Sequence, residues 1–259
     1  MKKVSPWVWG AAALVYLFLY LPLAIVVVFS FNDSALNAEW VGFTFKWYRM
    51  LFNDPVMLEA ALHTLVIGLV TCVAATVLGT LAGLAMYRWR LRLLPALVLI
   101  PIAIPEILTG VSLLIFFVML NMTLGLVSIT LSHIAFCIGF VAIVVRSRLQ
   151  GMDESLVEAA RDLGASPLTA FRAVTLPLIM PGIIAGALMA FTLSIDDFVI
   201  SFFTAGVGSN TLPLEIYSRV KVPMKLNPEV NAVSTLLMLL TLSLIMIVSK
   251  VAPSALRAQ

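Results

Sequence analysis

Three carboxylates stand inside strongly apolar stretches of the chain: Glu106, Asp196 and Asp197. A charge at membrane depth is costly, so each is a candidate for ion or solute handling. Glu106 lies about 18 Å along a helix beginning at Leu94, close to the midplane of a ~30 Å hydrocarbon core. Pro101 and Pro105 precede it, and each removes a backbone donor and frees a carbonyl. Lipid does not tolerate such groups, whereas a polar cavity does. An interrupted helix beside a mid-depth carboxylate predicts a translocation path; an ion pair with another subunit is the competing account. On a continuous helix Ser194, Asp197 and Ser201 share one stripe, and Thr192 and Asp196 share another, because neighbouring residues point about 100° apart. At least one of the two aspartates is expected to line the path, while the other can rest at a wet helix end. His133 is expected to hydrogen-bond within the bundle, with a proton relay as its alternative. No nucleophile–base pairing and no H-E-x-x-H motif is evident, which argues against a membrane enzyme.

The elements that must position these residues are long apolar runs. Of the 259 residues 62% are hydrophobic and 11% charged, with a mean hydropathy of +1.09. Soluble domains are nearer half apolar and a quarter charged, so the chain is an integral membrane protein. Six spans are expected, at about 7–31, 61–87, 94–120, 125–145, 178–203 and 230–251, forming a single transmembrane domain over 1–259. The first run, preceded by Lys2 and Lys3, is too long for a signal peptide and reads as an uncleaved helix. Small residues four apart (Ala75, Gly79, Gly83; Gly182, Gly186, Ala190) predict close helix contacts. Cys72 and Cys137 lie in apolar stretches and read as packing residues.

Positive charge orients the bundle. Lys2, Lys3, Arg88, Arg90, Arg92, Arg146, Arg148, Arg161, Arg172, Lys250 and Arg257 fall on one side; Lys46, Arg49, Arg219, Lys221 and Lys225 fall on the other. The richer side is expected to be cytoplasmic, with both termini. The net charge of +3 is scattered between apolar runs, which argues against nucleic acid as a partner. Outside, 32–60 carries Trp40, Trp47 and Tyr48, read as interfacial anchors. The segment 204–229, with Pro213, Pro223 and Pro228, reads as a bent loop.

One polar island interrupts the apolar chain inside. Asp153, Glu154 and Glu158 favour a helix start, and Ser155 with Glu158 has capping-box spacing. Gly164 suits the left-handed position that ends a helix, and Ser166-Pro167 starts another at once. Pro177 and Pro181 are expected to close the unit. Leu156, Ala160 and Leu163 share a face with no core of its own, which wants a partner.

Glu158-Ala159-Ala160, then Gly164, then Leu176-Pro177 resemble the EAA loop of binding-protein-dependent ABC importer permeases, with Val174 where that family usually has isoleucine. The resemblance implies an all-α, six-span ABC importer permease fold. It also implies that 146–177 is a cytoplasmic coupling loop docking on an ATPase subunit through these residues. No G-x-x-x-x-G-K-[ST] occurs, so no cofactor is expected in this chain; ATP and Mg²⁺ would belong to the ATPase dimer. The stretches WVGFTFKWYRMLFND, FTLSIDDFVISFF, TLPLEIYSRVK and NPEVNAVSTLL are similar to the second permease subunit of spermidine/putrescine importers. That similarity implies a second homologous permease, a periplasmic polyamine-binding protein and a bacterial inner membrane. A cationic amine shedding water would be compensated by carboxylates at two depths. The expected path residues are Glu106, Asp196, Asp197, Ser194 and Ser201. Related permeases for ferric iron or other small solutes carry a similar loop. A proton-coupled secondary transporter using Glu106 and His133, and a structural membrane subunit with no path of its own, are the rival accounts.

Overall fold

Apolar runs broken by proline, glycine and short polar segments dictate helices, and the computed structural model is helical throughout its regular elements. It describes residues 5–34, 39–89, 93–221 and 229–251. Lys2, Lys3, Arg90, Arg92, Pro223, Lys225, Pro228 and Arg257 lie outside the described residues. In chain order the helices are α1 (Pro6–Phe29), α2 (Lys46–Leu51), α3 (Pro55–Arg88), α4 (Leu93–Ala103), α5 (Glu106–Met119) and α6 (Leu126–Gln150). There follow α7 (Ser155–Asp162), α8 (Pro167–Ala170), a π turn (Phe171–Thr175), α9 (Leu176–Ile195), α10 (Val199–Thr204), α11 (Leu212–Lys221) and α12 (Glu229–Val251). Four of them, counting α8 through α9 as one, are long and apolar enough to cross a membrane. The pair α4–α5 makes a fifth if its 107° bend lies within one span. The described apolar part of α12, Glu229–Leu244, is shorter.

Two expected spans are broken. Ile104 precedes a proline and is pushed away from helical angles, and Pro105 is the N-cap of α5 with φ −54° and ψ 136°. The third span is therefore a bent pair, and Glu106 opens α5 rather than lying along one straight helix. The fifth span ends at Ile195 and resumes at Val199. Elsewhere a proline is absorbed. Leu176 donates its N–H to the carbonyl of Phe171, a wide turn just before Pro177. The hydrogen-bond ladder thus changes register where the proline lacks a donor. Pro177 and Pro181 consequently do not close the polar unit; α8 runs through them into α9.

The chain divides into two compact units. Met1–Leu58 with Ile216–Thr241 forms one, and Glu59–Glu215 with Leu242–Gln259 the other. In the first, α1 exposes its apolar surface almost all round, Trp7 and Phe18 most of all, as a helix facing lipid does. After it, the chain folds on Asn32. The Asn32 amide donates to the Glu39 carbonyl at 2.7 Å, and its Oδ1 accepts the Val41 N–H at 2.8 Å. Trp47 is buried and donates Nε1–H to the Asn32 carbonyl at 2.7 Å; it is a core residue, not the expected interfacial anchor. Tyr48 is half-buried, with its hydroxyl 2.7 Å from Ser30 Oγ, and only Trp40 stays exposed. The expected loop after 204 contains α11, because Pro213 occupies its first turn, where no donor is needed.

Asp54 starts α3. Its Oδ1 accepts the N–H groups of Val56 and Met57 at 3.0 and 3.2 Å. Its Oδ2 accepts Arg219 at 2.6 Å, and Arg219 also donates to Glu229 at 2.9 Å. Burial alone would raise the Asp54 carboxyl; the Arg219 guanidinium and the two backbone donors outweigh it and hold it below its ordinary value.

The second unit is built on α6, against which α4, α5, α9 and α10 pack. Its core includes Ala75, Phe136, Cys137, Val141, Val145, Ile179 and Ala190. The small-residue ridges are close contacts. A Cβ at Gly79 would lie 2.6 Å from Val141 Cβ, and one at Gly186 would lie 3.0 Å from Val141 Cγ1. Only a missing side chain permits that approach. The thiols of Cys72 and Cys137 reach the carbonyls of Ala187 and Ala190 at 3.2 and 3.7 Å, consistent with packing.

Candidate functional site

The break between α9 and α10 is organised by buried polar groups in the second unit. Asp197 caps α10 from outside: its Oδ2 accepts the Ser201 N–H at 2.8 Å and its Oδ1 the Ile200 N–H at 3.3 Å. His133 of α6 faces the same carboxylate, with Nε2 3.1 Å from Asp197 Oδ2 and 3.0 Å from Ser201 Oγ. Its Nδ1 lies 2.8 Å from Ser194 Oγ. The ring is 2% exposed, Ser194 4% and Ser201 0%. Sequence periodicity grouped Ser194, Asp197 and Ser201, and they do lie together, but for another reason: Ser194 lies at the end of α9, Asp197 in the break and Ser201 in α10, all gathered round an imidazole. Asp196, one residue earlier, is the C-cap of α9 and is exposed.

Glu106 is exposed at the first position of α5, where the helix dipole favours a carboxylate. It lies within electrostatic reach of Asp196, and α5 packs against α10. The five expected path residues therefore separate into two sets. Glu106 and Asp196 are exposed carboxylates at two helix breaks, while Ser194, Asp197 and Ser201 are turned inward. His133 makes the internal hydrogen bonds expected of it. Its pairing with Asp197 had no signal in the sequence, since the partners lie on different helices. Among the described residues no three His, Cys, Asp or Glu side chains converge as metal ligands.

The polar island forms two short helices, as expected, with one change at its start. Ser155 is inside α7, and Asp153 Oδ1 accepts its N–H at 3.0 Å. Hydrogen bonding from the Ser155 side chain and backbone lowers the Asp153 carboxyl. At the far end Gly164 adopts φ +87°. Gly164 donates to the Arg161 carbonyl at 2.9 Å, and Ala165 to Ala160 at 3.1 Å. This paired closure needs a left-handed residue. Ser166 Oγ then accepts the Thr169 N–H at 3.2 Å and caps α8. Leu156, Leu163 and Leu168 are exposed, Leu163 at 90%, and so are Glu158, Ala159 and Pro177; Ala160 and Leu176 are half-buried. Behind this face is a cavity of about 580 Å³, lined among others by Tyr87, Arg88, Glu154, Glu158 and Arg161. Tyr87 donates its hydroxyl to Glu154 across it.

Residues 75–256 match the family described as binding-protein-dependent transport system inner membrane component. The chain belongs to this family. As a member it is a multi-pass component of an inner-membrane transport system, with several apolar helices. It is 44% identical over 243 residues to the spermidine/putrescine transport system permease protein PotC of Escherichia coli K12, covering 93% of this chain and 90% of that one. Over 244 residues it is 42% identical to the putrescine transport system permease protein PotI of the same strain, covering 90% and 86%. Among solved structures it resembles a bacterial ABC transporter involved in the import of the acidic polysaccharide alginate, with TM-score 0.72, 15% identity and 96% of each chain covered. It also resembles the inward-facing MetNI methionine ABC transporter, with TM-score 0.66, 23% identity, and 80% and 98% covered. Those likenesses show the fold.

Proposed function

We propose that this inner-membrane component is one of two homologous permease subunits of an ATP-driven importer for polyamines, putrescine or spermidine. The observation that carries the proposal is the placement of Glu106 and Asp196. Both carboxylates are exposed, both stand at breaks in apolar helices, and they lie within electrostatic reach of each other. A flexible polycation that sheds water needs fixed negative charge along its route, and a helix break supplies polar backbone as well. The names of the similar Escherichia coli permeases indicate the same cargo chemistry.

In this reading the chain spans the bilayer six times with both termini cytoplasmic, and α12 and the bent α4–α5 pair each count as one span. The α7–α8 face, with Glu158, Ala159, Ala160, Gly164, Leu176 and Pro177, docks on an ATPase dimer that carries ATP and Mg²⁺. Exposed Leu156, Leu163 and Leu168 supply the apolar contact. A polyamine-binding protein delivers cargo on the outer side. The chain itself makes and breaks no covalent bond. The test is reconstitution of the complex with its second permease, ATPase and binding protein in liposomes. ATP-dependent uptake of labelled putrescine or spermidine is expected. A coupled complex that hydrolyses ATP but moves neither amine would refute the cargo and spare the importer class.

A further inference from the structure

We infer that His133 is a positioning residue for transport: it holds Asp197 as the cap of α10, so that Asp196 alone of the adjacent pair is presented to the path. The inference rests on the path reading above. Adjacent aspartates on a continuous helix would compete for the same role. Here α9 ends just before the pair, at Ile195, and their environments diverge. The Asp197 side chain is 7% exposed, and each of its oxygens is used. Oδ1 accepts Ile200 N–H, and Oδ2 accepts Ser201 N–H and the His133 ring. To bind a passing ammonium group Asp197 would have to surrender the bonds that start α10. Leaving those donors unpaired in a dry interior is expensive.

His133 is suited to this work by its two nitrogens. With the proton on Nε2 it donates to Asp197, and Nδ1 accepts the Ser194 hydroxyl at 2.8 Å. One ring thereby ties α6, the end of α9 and the start of α10 together. The break is held at a fixed register, and Asp196, at the C-cap of α9, is held exposed. Removing the imidazole leaves a buried carboxylate short of a partner and frees the break to relax.

The test uses the assembled complex at matched membrane abundance. His133→Ala and Asp197→Asn are each expected to lower labelled putrescine uptake at least tenfold, and the double variant no further, because both cut one link. His133→Gln, whose amide can still donate to Asp197, is expected to recover most of the rate. A cargo-independent readout follows the break itself. Asp196→Cys, in a background lacking Cys72 and Cys137, is labelled with a cationic thiol reagent. Adding His133→Ala is expected to change that labelling rate at least fivefold, and His133→Gln less than twofold. Should His133→Ala fail to insert, Ser194→Ala removes only the hydroxyl at Nδ1 and is expected to change both readouts in the same direction. Wild-type uptake and labelling in these variants overturns the inference, as does a multiplicative loss in the double variant or a loss wholly explained by abundance. A labelling shift in a complex that moves neither amine leaves the His133 role standing and sinks the polyamine reading.

Discussion

Substituting Gly164 separates backbone geometry from side-chain bulk at the α7–α8 face proposed to dock on the ATPase. Gly164 has φ +87°, and a Cβ built there would meet nothing within 4 Å. Within this chain the penalty of Gly164→Leu is therefore conformational, not a clash. A left-handed residue with a side chain costs about 1–2 kcal/mol relative to glycine. That lowers the closed-to-open ratio of the α7 cap about 5–30-fold. The paired bonds from Gly164 and Ala165 back to Arg161 and Ala160 would open with it, and α8 would lose its fixed direction. Nearby apolar packing is untouched, so insertion and abundance should match wild type. The assay compares substrate-stimulated ATP hydrolysis and uptake by the reconstituted complex for wild type, Gly164→Leu and Gly164→Asn. Asparagine tolerates the left-handed region and should retain more coupling than leucine. Full stimulation and uptake in Gly164→Leu would refute the reasoning; equal failure of both variants would shift the cause to close approach by the ATPase.

Glu106→Gln keeps size and hydrogen bonding but removes the negative charge. Losing a partner for a desolvated charge costs ~3–5 kcal/mol, so uptake of labelled amines should fall by orders of magnitude; full uptake would remove Glu106 from the path. Asp54 is held below its ordinary value of 3.8, so its contribution is present above that value and lost as pH falls through the lower folded one. Asp54→Asn should lower thermal stability at pH 7 by about 1.5 kcal/mol, since Arg219 keeps Glu229, and the difference should vanish in acid. A pH-independent difference in melting would disprove the link. Orientation is checked with Ala159→Cys in a background lacking Cys72 and Cys137: an impermeant reagent should label it from the cytoplasmic side alone. Labelling in intact cells would overturn the topology and the ATPase docking with it.

Apolar runs, prolines and capping residues are local properties, and what depends on them was legible in the sequence. Membrane residence followed from composition. The α7–Gly164–α8 geometry followed from a residue without Cβ beside Ser166-Pro167. The interruption before Glu106 followed from Pro101 and Pro105. The glycine ridges announced close packing, although only the structure names Val141, Val145 and Arg148 as what they approach. Periodicity also placed Ser194, Asp197 and Ser201 on one stripe, among the expected path residues. That assignment assumed an unbroken helix from Leu178 to Phe203. At the break, 196–198, Asp197 pairs with a buried histidine from another helix, and no local rule encodes a partner so distant in the chain. Trp47 was misread for the same reason: an indole suits an interface or a core equally, and its hydrogen bond to the Asn32 carbonyl decides. Sequence determined which residues could bear charge and where the backbone must bend. Tertiary structure decided which of those charges are turned inward and hydrogen-bonded, as Asp197 is, and which stay exposed, as Glu106 and Asp196 do.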